Sequence, residues 1–475
     1  MHETWTSPLA GRYASRAMLE LWSPRTRHGL WRRLWLALAE AERELGVKIP
    51  AEAIDEMRDH LDDIDFDVVA AYERRFRHDV MAHVHAFGDV APAAKPFIHL
   101  GATSAFVTDN ADLILMRRGL EILSGRLTGV IRKLAAFASR WRSEPTLGYT
   151  HLQPAQLTTV GKRATLWMQD FVLDYNDIEY RRSSMPFRGV KGTTGTQATF
   201  LELFDGDHER VRKLDKLVTS KMDFTESLAV TGQTYTRKID AGVLSSVSGI
   251  AASAAKFAGD IRMLQSFGEM EEPFEQEQIG SSAMAYKRNP MRSERINSLA
   301  RFVLSVETNA NQTHSVQYFE RTLDDSANRR LVLPEAFLAA DAILLLMTNI
   351  VSGLEVHPER IRQRLRAELP FMATEKIIVE AVAAGGDRQQ AHEVIRRHSI
   401  EAQRAMKDGA PTNDLLERLG SDPELGLARD RLALAADPAM YVGRAPQQVD
   451  EFLAEVVEPL LAGSPAHPAD EEIRV

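Results

Sequence analysis

Apolar residues recur at three- and four-residue steps over long uninterrupted stretches of this chain. "ADLILMRRGLEILSGRLTGVIRKLAAFASRW" (111–141) is the clearest case, and its spacing predicts a long amphipathic helix. Proline placement sharpens the pattern. None occurs between Pro96 and Pro145, between Pro186 and Pro273, or between Pro290 and Pro334. Proline removes a helical donor and clashes with the preceding turn, so these gaps are where long helices can run. Period-two alternation is weak throughout. The pattern predicts an all-α protein whose middle is an extended bundle of long helices, flanked by more compact helical ends.

One stretch of that middle, "AGVLSSVSGIAASAAKFAGDIRML" (241–264), carries Ala, Gly and Ser where a surface helix would carry long charged side chains. Small residues on several faces let neighbouring helices approach closely. This helix therefore belongs at the centre of a bundle, either within one chain or completed by other subunits. Helical pattern breaks at "APAAKPFIHLGATS" (91–104) and at "GLEVHP" (353–358). Three helical domains follow, at 1–105, 106–356 and 357–475. The end of the chain from Gly463, "GSPAHPADEEIRV", has no apolar periodicity and is expected to be mobile.

Composition narrows the class. A length of 475 residues suits two to three domains, and 44% hydrophobic with 26% charged residues is that of a soluble globular protein. The net charge of -9 argues against a nucleic-acid or membrane-surface partner. An anionic ligand would need a local basic cluster. With no cysteine there are no disulfides, thiolates or Cys-ligated metals. The start "MHETWTSPLAGRYAS" shows no secretory leader, and charged residues interrupt the later apolar stretches. A cytoplasmic enzyme or assembly protein is expected.

Several segments could carry chemistry. "RHDVMAHVHAF" holds His78, His83 and His85, whose spacings do not match a metal-binding helix. Arg77, His78 and Asp79 instead read as one hydrogen-bonded group at a helix start, structural or functional. "YTHLQPAQLTTVGKR" places His151 ahead of a Gln-Pro turn and a helix start, where it is either a general acid or base or a satisfied loop histidine. "GVKGTTGTQATF" has three glycines at intervals of three but fits no nucleotide fingerprint, and is read as a turn. "YFERTLDDSANRR" gathers Arg321, Arg329 and Arg330 beside Ser326, a set for phosphate or carboxylate, or else an ion-pair network. "IGSSAMAYKRNP" (279–290) reads as a loop between two helices, because Gly-Ser-Ser favours adaptable backbone and Asn-Pro disfavours helix.

Taken in order, "RHDVMAH", "IHLGATSAFVTDNADL", "THLQPAQLTTVGKR", "GVKGTTGTQATF", "QTYTRK", "GSSAMAYKRNPMRSER", "FERTLDDSANRR" and "YVGRAPQQVDEFL" resemble the adenylosuccinate lyase family of the fumarase/aspartase superfamily. The likeness spans nearly the whole chain. It implies three helical domains, a homotetramer with sites shared between chains, and anti elimination of fumarate from adenylosuccinate and from a related succinyl-carboxamide ribotide. Nucleotide substrates are then the expected small-molecule partners, with neither metal nor cofactor.

By this resemblance Ser281 is the base and His151 the acid that protonates the departing nitrogen. Lys287 and Asn289, with Thr103, Ser104 and Gln233, match residues that hold the succinyl carboxylates. Arg12, Tyr13, Arg321, Ser326 and Arg330 match phosphate and nucleotide contacts. Arg77, His78 and Asp79 fall at the phosphate end, where the family supports its catalytic histidine, and His99 matches a further active-site histidine. Glu294 matches a support for His151, and Arg295 a substrate contact. The loop would be a closing lid that carries its own base. Ala285 stands where the family signature has proline. Argininosuccinate lyase chemistry and a catalytically silent helical scaffold are the competing readings.

Overall fold

The computed structural model describes residues 3–427, 432 and 436–464. The N-terminal part contains α1 (Pro24–Glu44), α2 (Phe66–Phe76) and α3 (Asp79–Val90). The long helices α4 (Ser104–Arg140), α5 (Val160–Ser183), α6 (Lys238–Phe267), α7 (Met291–Ser315) and α8 (Asp324–Gly353) form the bundle; α4, α6 and α7 fall in the three proline gaps, whereas α8 runs through Pro334. Then come α9 (Pro358–Met372), α10 (Thr374–Ala383), α11 (Arg388–Lys407) and α12 (Leu415–Ser421), and α13 (Ala445–Phe452) returns to pack on α5. Of the segment from Gly463 expected to be mobile, residues 465–475 lie outside those described.

Local chemistry sets the helix ends. Ser23 caps α1 by accepting from Thr26 N at 3.2 Å, with Pro24 as the first helical residue. Thr159 caps α5 in the same way, and α6 stops at Gly268, whose φ of 70° closes the last turn in the left-handed region.

Among the described residues, two short antiparallel ribbons interrupt the helices. One pairs β1 (Pro145–Thr150) with β2 (Gln153–Thr159); the other pairs β3 (Met270–Glu271) with β4 (Glu355–Val356). They are too short to show alternation in sequence. The first one corrects the reading of "THLQPAQLTT": Pro154 lies in a strand, and the helix begins only at Val160.

One continuous core joins α1 to the bundle, from Leu9 and Trp35 through Leu127, Phe257 and Ile343 to Leu369. A second, smaller core gathers Ala373, Ile377, Val394 and Leu415. By length and apolar content α6 and α8 could each cross a membrane, which the interrupting charges had seemed to exclude; 61% and 72% of their most apolar windows are buried inside the protein. α8 is apolar nearly all round because other helices surround it. Gly119 lets α4 approach it, since a Cβ there would stand 2.7 Å from the Phe337 ring. Arg126 and Asp341 pair at 3.2 Å in this interior, and Asp341 also accepts from Ser15 N at 2.8 Å, tying the N-terminal segment to the bundle. Removing either partner would strand a buried charge, at a cost of about 3–5 kcal/mol.

Candidate active site

Where α1, the α2–α3 corner, the start of α4 and the start of α8 meet, they enclose a cavity of about 850 Å³. Arg77 makes the corner by taking the left-handed conformation, φ 54°, after the last turn of α2. His78 then caps α3, its Nδ1 accepting from Met81 N at 3.3 Å. That bond assigns the proton of the neutral imidazole to Nε2, which faces Ser104 Oγ at 3.4 Å. Asp79 meets Arg330 at 2.6 Å. Burial alone would raise the Asp79 carboxyl, but the bonds from Arg330 and Val80 N outweigh it and the net direction is down.

The cavity collects Arg77, His78, Asp79, Ser104, Gln233, Arg321, Ser326 and Arg330 from segments far apart in sequence. Its inner wall includes His28, Trp31, Phe66 and His83. The His28 and His83 rings lie 4.0 Å apart between centroids. Burial, with the charges of His83 and Arg27 at His28 and of Arg32 at His83, lowers them to about 3 and about 4, so both are neutral imidazoles at pH 7. His83 and His85 face different neighbours, Trp31 and Phe76, as residues two apart on a helix do.

Built into this wall is a buried charge lattice that sequence reasoning missed. Arg237 pairs with Asp109 at 3.1 Å and Asp325 at 2.7 Å. Arg329 pairs with Asp240 at 2.7 Å and Asp112 at 2.9 Å, and donates to Tyr235 OH at 2.5 Å. Arg329 borders the cavity with Arg321 and Arg330, but its donors are committed to these buried partners, whereas Arg330 is largely exposed. A signal existed in "VTDNADLILM": Asp109 and Asp112 sit in an otherwise apolar helix, and buried carboxylates need partners.

Other expected site residues do not line the cavity. His99 accepts from Trp35 Nε1 at 2.9 Å through Nδ1, and burial together with the nearby His78 lowers it to about 4. Thr103 is the residue before α4. Arg12 and Arg295 lie over the Tyr13 ring at 5.9 and 5.6 Å, a group of their own, and Glu294 stands 3.9 Å from Arg262. The glycine-rich turn has positive φ at Gly189, Gly192 and Gly195, and its Lys191 is bound to Asp215 at 2.7 Å, away from the cavity.

His151 occupies the tip of the β1–β2 hairpin. Thr150 pairs with Gln153, so His151 and Leu152 alone make the turn, with φ of 53° and 57°. It is exposed. Ser281, Lys287 and Asn289 belong to the irregular loop 272–290. Ser281 Oγ accepts from Ala283 N at 3.3 Å and Met284 N at 3.1 Å, and Asn289 Nδ2 donates to Gly280 O at 2.6 Å. Lys287 is exposed on that loop, and its backbone N–H closes a turn onto Met284 O at 3.0 Å.

A family model described as lyase matches residues 6–305, and one described as adenylosuccinate lyase C-terminus matches residues 370–452. An adenylosuccinate lyase from Saccharomyces cerevisiae is 51% identical over 100% of this chain and 99% of its own length. One from Schizosaccharomyces pombe is 50% identical, covering 97% and 96%. The chain belongs to the adenylosuccinate lyase family. Solved structures with the same fold include a 3-carboxy-cis,cis-muconate lactonizing enzyme from Pseudomonas putida, at TM-score 0.82 and 22% identity over 95% of this chain and 98% of that one. A fumarate lyase from Mesorhizobium sp. BNC1 aligns at TM-score 0.78 and 25% identity, over 95% and 99%. For this adenylosuccinate lyase family member, the bundle thus follows a fold that persists at low identity, with the cavity set against its buried charge lattice.

Proposed function

We propose that the cavity binds the nucleotide end of a succinylated purine precursor, and that His151 and Ser281 reach it from other copies of the chain. The protein is a C–N lyase of purine biosynthesis. It releases fumarate from adenylosuccinate, leaving AMP, and from succinyl-aminoimidazole-carboxamide ribotide, leaving the carboxamide ribotide AICAR. One observation carries the reading of a shared site: the anion-binding donors converge in one cavity, while the acid and base stand on projecting hairpin and loop outside it.

In this reading Ser281 Oγ takes the β-proton of the succinyl group, the C–H electrons form the fumarate double bond, and the C–N bond breaks. His151 protonates the nitrogen as it leaves. A serine holds its proton far above neutral pH, so its alkoxide needs support. The N–H groups of Ala283 and Met284 already point at Ser281 Oγ, and their effect grows when the loop closes and excludes water. Lys287, Asn289, Thr103, Ser104 and Gln233 hold the succinyl carboxylates. Arg321, Ser326 and Arg330, with Arg12 and Tyr13, hold the phosphate. Arg77, His78, Asp79 and His99 order that end, Arg295 adds a substrate contact and Glu294 supports His151.

A homotetramer is the assembly we infer. The outer side of α6 presents the small residues Ser245 and Ala252, and α5 exposes Leu166, Leu173 and Tyr180 at seven-residue steps. Such a stripe suits further helices packed from other subunits. The net charge of -9 gives no support to nucleic-acid or membrane-surface binding.

Incubation with adenylosuccinate should yield AMP and fumarate at equal rates, with or without a chelator. Turnover of argininosuccinate with none of adenylosuccinate would overturn the substrate assignment, and no turnover of either would leave a silent scaffold.

A further inference from the structure

The turn that carries His151 is held in an unfavourable conformation. Both of its residues are left-handed, a geometry that two-residue hairpins usually give to Asn-Gly. Leu152 is 76% exposed, so packing at the tip does not hold it. Restraint must come through the strands, and it is visible just below the tip.

Strand register slips between Leu147 and Tyr149, and an arginine grips each side of the irregularity. Arg163 donates to Leu147 O at 2.5 Å. Arg364, on α9, donates to Tyr149 OH at 2.9 Å. Arg364 Nε also stands 2.7 Å from Glu269 Oε1, a close ion pair off the line of a hydrogen bond. Its guanidinium lies 4.3 Å over the Phe267 ring, on which the Tyr149 ring packs at 5.6 Å. Glu269 is fully buried; burial raises its carboxyl, and the charges of Arg364 and Arg163 oppose that rise. This buried carboxylate thus anchors Arg364 directly.

We propose that Arg364, fixed by Glu269, is a positioning residue for His151: by holding Tyr149 beyond the strand irregularity it sets the angle at which the hairpin tip presents its imidazole to substrate. The inference rests on the assignment of His151 as proton donor. A merely structural role, gluing α9 to the bundle, would lower stability and leave turnover per folded site unchanged. Positioning acts on kcat, because a displacement of about 1 Å at a reacting group can cost up to about a hundredfold.

Two variants test this in the intact enzyme. Arg364→Lys keeps a cation for Glu269 but loses the planar fork that serves two partners at once. Tyr149→Phe removes the acceptor and keeps the ring on Phe267. Each should lower kcat on adenylosuccinate about tenfold with KM within about twofold of wild type. In a His151→Ala background neither should lower kcat further, since no imidazole remains to be aimed. Wild-type kcat in Tyr149→Phe, a rise in KM at constant kcat, or a tenfold loss that persists in the His151→Ala background would overturn the proposal. Full activity of His151→Ala alone would instead remove the assignment on which it rests.

Discussion

Arg330 and Asp79, 251 positions apart in sequence, meet at 2.6 Å on the wall of the cavity. The carboxylate orients the guanidinium before any substrate arrives, and Arg330 keeps further donors for a phosphate. Arg330→Ala should therefore raise KM for adenylosuccinate about 10- to 100-fold, the loss of one charge-assisted bond of about 1.5–3 kcal/mol. Asp79→Asn should raise it less, because the arginine remains but is no longer held. Steady-state kinetics on both variants checks the order, and an unchanged KM in Arg330→Ala would remove it from the phosphate site.

The proposal of shared sites makes a distinct prediction. His151→Ala and Ser281→Ala proteins, each with only residual turnover, should regain partial activity when dissociated and reassembled together. Some cavities in a mixed tetramer then receive both intact groups. Absence of recovery in tetramers shown to be mixed would place the two residues in one chain's site.

Ala285 is the second residue of the turn closed by Lys287 N onto Met284 O. That position favours proline, whose fixed φ suits it and whose missing N–H is not used by the turn. Ala285→Pro should accordingly stabilise the ordered loop by about 0.4–1 kcal/mol, chiefly by restricting its alternatives. Reduced protease cleavage between Glu271 and Pro290, with the reaction preserved, is the expected outcome. Turnover should rise if loop closure limits it and fall if product release does. An inactive but folded tetramer would mean that the loop closes along a path proline cannot follow.

Acid should destabilise the fold between about pH 6.5 and pH 3. His28, His83 and His99 are lowered to about 3, 4 and 4, each chiefly by burial. In this window the unfolded chain binds protons that the native state refuses, so stability is full above about pH 6.5 and falls as pH drops, by up to about 1.4 kcal/mol per unit for each independent group. Around His28 the charges of Arg27 and Arg330 act with burial, and Asp79 acts against it. His28→Phe should flatten the pH dependence of urea unfolding. Buried Glu42, pushed up to about 9 by burial, works in the opposite sense, losing stability as pH rises above about 4.5. Glu42→Gln should therefore stabilise the protein at pH 8 relative to wild type.

The helical class was legible because it rests on local rules. Proline gaps and three-to-four spacing specify where α4, α6 and α7 can run, whatever packs against them. The turn chemistry of the 279–290 loop and the helix start at His78 are local in the same sense. Pairing over long separations is not. Nothing near Asp79 announces Arg330, and nothing in "RTLDDSANRR" separates Arg329, buried between Asp112 and Asp240, from its largely exposed neighbour Arg330. Adjacent residues on a helix point about 100° apart, so only the packing of α8 decides which faces the core. The hairpin beneath His151 escaped sequence reading for a related reason: its strands are short, their register slips, and much of what holds them in place comes from Arg163, Arg364 and Glu269, residues on other elements.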